Sequence, residues 1–114
     1  MSELNRTDPV EKLLQMQQSF KNKLPERLSG IETAWLLLQK QKSKDFADLH
    51  LKIHSLVGAA GTFGASMVSI AARKLESEIK LLVNNEITLD SDVIEQIEYL
   101  LLNVRSISDK WQPS

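Results

Sequence analysis

Apolar residues in this chain recur at steps of three and four from Val10 to Trp111, and nowhere do they alternate convincingly at steps of two. Steps of three and four return to one face of an α-helix, whereas a half-buried strand repeats every second residue. Only the short stretch from Glu86 to Leu89 approaches alternation, and it is too brief to build a sheet. The periodicity predicts five helical stripes. Val10, Leu13, Leu14 and Phe20 form the first, and Leu28, Ile31, Trp35 and Leu38 the second. Phe46, Leu49, Ile53, Leu56, Ala60 and Phe63 form the third. Val68, Ala71, Leu75, Ile79 and Leu82 follow, and Val93, Ile97, Leu100, Val104, Ile107 and Trp111 close the series.

Punctuation between the stripes fits helices. Asp8-Pro9-Val10-Glu11 reads as a start, with a capping acid, proline at the first helical position and a glutamate in the first turn. Pro25 predicts a break just before it, because proline lacks the N–H that an interior helical residue donates. Lys40, Lys42 and Lys44 sit in a polar segment suited to a helix C-terminus. The third helix is expected from about Asp45 to Thr62, with Gly64 as the stop and Ser66 as the cap of the next. Asn84 to Thr88 reads as a loop, and Asp90, Ser91 or Asp92 caps the last helix. Five such helices with short connections give an all-α fold, an antiparallel bundle. No repeat or linker divides the chain, so one domain is expected over residues 1–114, with 1–7 a loose tail.

Composition narrows the functional classes. A length of 114 residues supports one core and not two. A formal charge of −1 without a cluster of Lys and Arg argues against a nucleic-acid partner. With 0 cysteines there are no disulfides and no thiolate chemistry. The first residues lack the apolar core of a secretion signal, so a cytoplasmic protein is expected. Between Lys52 and Arg73 no charged residue occurs over about twenty positions, the length of a membrane span. The glycines, serines, Thr62 and His54 within it instead predict two buried helix halves joined by a turn at Phe63 to Ser66.

The chemistry-bearing residues lie in that stretch. His54, Gly58 and Gly61 are spaced i, i+4 and i+7 and so share one helix face. Glycine costs about 1 kcal/mol in a helix interior, so a pair beside a histidine suggests that something must come close to the ring. Ala47, Leu51 and Val57 are expected on the same side, making an apolar docking patch. A following antiparallel helix brings residues 73 to 77 level with His54, which makes Glu76 the candidate to orient the ring.

His54-Ser55-Leu56-Val57-Gly58, then Phe63-Gly64, and later Ala72-Arg73-Lys74-Leu75-Glu76, resemble the histidine phosphotransfer domain of two-component phosphorelays. The resemblance is specific around His54 and looser over most of the chain. It implies an all-α antiparallel four-helix bundle (up-down-up-down) with an additional N-terminal helix, and a histidine that takes a phosphoryl group from an aspartate on one receiver domain and passes it to another. It also implies that Glu76 occupies the place of the group that bonds this histidine; by helix spacing, His50 lies one turn back on the same face as a second neighbour. Response-regulator receiver domains and a hybrid sensor histidine kinase are the implied partners of a monomeric carrier. The aspartate and magnesium ion would come from the receiver, so no resident cofactor or metal is expected. One position departs from the family pattern, since the usual lysine three residues after the histidine is Val57. That departure leaves room for a receiver-binding scaffold that is not itself phosphorylated. Another class is a metal-binding bundle, since His50 and His54 are four apart and Glu76 or Glu78 could add a carboxylate.

Overall fold

The computed structural model describes residues 8–113, and the expected tail at 1–7 lies outside them. Four helices follow in order, α1 (Pro9–Gln41), α2 (Ala47–Thr62), α3 (Ser66–Val83) and α4 (Ser91–Lys110), and no strand occurs among the described residues. The helices pack as a ring in chain order: α2 lies against α3, α3 against α4, and α1 against both α2 and α4. Short connections make neighbours antiparallel. A common core runs through all four, with Trp35, Leu49, Ile53, Leu75, Ile79 and Ile97 among its most buried side chains.

The expected break at Pro25 does not exist, so there are four helices rather than five. α1 runs unbroken for 33 residues with Pro25 inside it. Phe20, Leu24, Leu28, Ile31 and Trp35 are all buried, so the stripe keeps its phase on both sides of the proline. Pro25 itself is on the exposed side. An interior proline costs about 3 kcal/mol, and burying any one of those side chains recovers about 1.5–3 kcal/mol. Continuity therefore wins. Pro25→Ala is expected to stabilise the protein by about 1–2 kcal/mol, less than the full helix penalty because proline also restricts the unfolded chain. Urea unfolding measures this; a loss of stability would show that the proline shapes the seat of α1 on α4.

The first apolar face is only partly used. Phe20 enters the core, but Val10, Leu13 and Leu14 are 66%, 46% and 37% exposed. The reason is length, because α1 outruns α2. Gln17 Nε2 donates to the Phe63 carbonyl at 2.8 Å, which sets Gln17 level with the α2–α3 turn. Among the described residues, no helix lies beyond that turn for earlier residues of α1 to pack on, and the molecule measures 61 × 22 × 21 Å.

The ends of the helices are fixed locally. Asp8 Oδ1 accepts from Val10 N at 2.8 Å, and Asp90 Oδ1 from Val93 N at 2.9 Å. Gly64 turns the chain with φ +77°. Ser66 does not cap α3. It is the first helical residue, and Ala65 precedes it with no side-chain bond. Across the ring, Arg105 hydrogen-bonds Glu32, which raises that guanidinium further above its ordinary range and ties α4 to α1. Lys21 Nζ donates to the Ser108 carbonyl at 3.0 Å, a second tie between those helices.

Candidate functional site around His54

The site is built on the seam between α2 and α3. Ile53 is fully buried, and its neighbour His54 turns outward with 67% of its side chain exposed. A helix advances about 100° per residue, so the residue after a core position stands at the rim. Glu76 comes from α3 on the face that also carries the buried Ser69 and Ala72, and only 16% of its side chain is exposed. Its Oε2 lies 2.6 Å from His54 Nδ1. An ionised carboxylate can only accept, so Nδ1 is the protonated nitrogen and donates to Glu76. His54 Nε2 has no hydrogen-bond partner among the described residues. The expected pairing of His54 with Glu76 is present.

His50 joins the same carboxylate. Its Nε2 lies 3.4 Å from Glu76 Oε2, and its ring stacks near that of His54 with centroids 6.2 Å apart and planes 20° apart. No hydrogen bond joins His50 to Glu76, and His50 Nε2 is buried without a hydrogen-bond partner. That nitrogen is shielded, unlike Nε2 of His54.

The two glycines of the His54 face differ in their surroundings. A Cβ added at Gly58 would meet nothing within 4 Å, so this glycine serves no packing contact inside the protein. At Gly61 a Cβ would sit 3.6 Å from Ser69 Oγ, an ordinary contact, so that glycine borders α3. Ala47 and Leu51 are exposed beside His54, Leu51 by 63%. Val57 is the exception. It is only 7% exposed and belongs to the core rather than to the docking patch. Three helical residues turn about 300°, which moves Val57 some 60° inward from His54, whereas the fourth, Gly58, lies outward.

Ser69 was not singled out by the sequence. Its Oγ donates to the Val57 carbonyl at 3.0 Å, a buried bond that fixes α3 against α2 about one turn from His54. A signal existed, for Ser69, Ala72 and Glu76 follow i, i+3, i+7 and so face α2 together. A metal centre is not formed. Glu76 Oε2 fills the space between the imidazoles, and no group of three or more His, Cys, Asp or Glu able to hold a metal occurs among the described residues.

The charge-free stretch is two helices and a turn, and no helix among the described residues is long and apolar enough to cross a membrane. Chemically, the arrangement offers an imidazole with one nitrogen held by a carboxylate and the other presented to solvent. Residues 15–107 match the family model of the Hpt domain. No curated protein and no solved structure matches the chain.

Proposed function

The chain belongs to the Hpt domain family, which gives it a phosphotransfer role in two-component signalling, and from that premise we propose that His54 is its phosphoacceptor. The observation that carries this reading is the 2.6 Å bond from His54 Nδ1 to Glu76 beside an exposed Nε2. His54 takes a phosphoryl group from the acyl phosphate of a receiver-domain aspartate and yields it to a second receiver. The Nε2 lone pair forms the N–P bond while the aspartyl P–O bond breaks and its electrons return to the carboxylate. The Nδ1 proton stays in place, so the product ring is cationic and faces the Glu76 carboxylate. No proton has to leave. The protein acts as a carrier, because aspartate and magnesium belong to the receiver in this scheme. Phosphoryl flow passes between a hybrid sensor kinase and response regulators, in the cytoplasm, with the domain working as a monomer.

Ala47, Leu51, Gly58 and Gly61 surround the presented nitrogen and receive the partner. A small apolar patch suits a complex that must dissociate after transfer. Incubation with an aspartyl-phosphorylated receiver tests the reading, with loss of label from the receiver and its gain on this chain as the expected result. Binding without transfer would instead make the protein a receiver-docking scaffold.

Glu76 has a defined role in this scheme. A charge-assisted hydrogen bond contributes about 1.5–3 kcal/mol, and the exposure of His54 places the felt part at the lower end. Glu76→Ala is expected to slow transfer about tenfold without abolishing it. Glu76→Gln keeps an acceptor for Nδ1–H but not the charge, and should fall between. 15N NMR should show the Nδ1–H tautomer in the unaltered protein and a mixture in Glu76→Ala. An unchanged tautomer and rate would remove Glu76 from the site.

A further inference from the structure

Phosphorylated His54 places about two negative charges next to the Glu76 carboxylate, and α2 supplies no cation to meet them. Its charged residues are Asp48 and Lys52, which pair with each other at 3.5 Å, and Lys52 lies two positions from His54, on the far flank. On α1, Arg27 is engaged over the Phe20 ring, 5.9 Å from its centroid, and with Ser55 Oγ at 3.4 Å, away from the Glu76 side. α3 is different. Ser69 reaches the Val57 carbonyl, and Glu76 reaches both His50 and His54. Counting along antiparallel helices from these contacts sets Arg73 level with residues 53 to 57 of α2. Arg73 follows Ser69 by four and precedes Glu76 by three, so it shares their α2-facing side. Unlike them it is exposed, which puts it on the outer lip of the seam. It takes part in no ion pair among the described residues. Lys80, the next cation on that lip, lies two turns further on and opposite Asp48.

We propose that Arg73 is the cation that receives the phosphoryl oxygens on His54, from the α3 lip of the α2–α3 seam. The inference rests on the phosphoacceptor reading of His54. Guanidinium is suited to this task, since its planar fork donates two parallel bonds to phosphate and it never deprotonates. Arg73 thus makes a two-sided cradle: Glu76 holds the ring nitrogen that keeps its proton, and Arg73 holds the group on the other.

Potassium phosphoramidate tests this on the full chain without any partner. In that reaction Nε2 forms the N–P bond, the donor's P–N bond breaks, and its nitrogen leaves as ammonia. With 31P NMR as the readout, Arg73→Ala is expected to lower the rate of phosphohistidine formation about two- to five-fold and to move the product's 31P resonance. Arg73→Lys should restore most of the rate, and high salt should shrink the difference. Lys74→Ala removes the same charge from the solvent side of α3 and should leave both rate and resonance unchanged. Equal effects of Arg73→Ala and Lys74→Ala would overturn the inference, as would an effect confined to Arg27→Ala. Failure of the unaltered chain to form any phosphohistidine would overturn the phosphoacceptor reading and this inference together, so the two failures are distinguishable.

Discussion

His54→Gln should accept no phosphoryl group from any phosphorylated receiver while keeping its helical fold and its stability within about 0.5 kcal/mol. The ring is 67% exposed and makes one hydrogen bond, to Glu76, so little of the core depends on it. Glutamine retains a polar side chain at the rim, and Glu76 keeps its neighbour His50 at 3.4 Å. Receiver binding should survive, because the proposed docking surface at Ala47, Leu51, Gly58 and Gly61 is left intact. His50 is not expected to stand in, since its Nε2 is buried and its side chain is only 23% exposed. Acid-labile label on the variant, mapped to His50, would contradict this account of the site.

Gly58→Leu should have the second largest effect, slowing transfer from a receiver by about a hundredfold, the scale of loss when reacting groups are held about 1 Å out of place. Its Cβ would meet nothing within 4 Å, so the fold has room for the side chain. Leucine also gains helix propensity over glycine by somewhat less than about 1 kcal/mol. The new side chain would stand one turn from His54 on the same face, where the partner must approach. Small phosphoramidate should still phosphorylate the variant. Gly58→Ala should be milder in transfer and should melt slightly higher. A Gly58→Leu protein that melts much lower and transfers normally would mean that the glycine serves packing.

Most of the fold was readable because amphipathic helices write their burial into sequence at steps of three and four. The α3 stripe from Val68 to Leu82 is buried residue for residue. Pro25 misled because a local rule was weighed without the packing that overrides it. Five core side chains on one α1 stripe outweigh one missing donor. Val10, Leu13 and Leu14 misled in the opposite way, since periodicity shows which face is apolar but not whether another helix is there to cover it. Within the site, His54, Glu76 and Gly58 were legible from spacing together with antiparallel register. Val57 was misplaced by treating i+3 as equivalent to i+4. The two differ by about 100°, which at the rim of a helix separates core from surface. Ser69 passed unnoticed because a serine among apolar neighbours carries no signal until its acceptor, the Val57 carbonyl, is located.

The central claim is that the Nε2 atom of His54, opposite the nitrogen held by Glu76, carries the phosphoryl group. The most direct measurement is 31P and 15N NMR of the full, 15N-histidine-labelled chain after transfer from a phosphorylated receiver. The account predicts one phosphohistidine, at His54, with phosphorus coupled to Nε2 and the proton retained on Nδ1. Phosphorus on Nδ1 of His54, on His50, or on no histidine at all would contradict it.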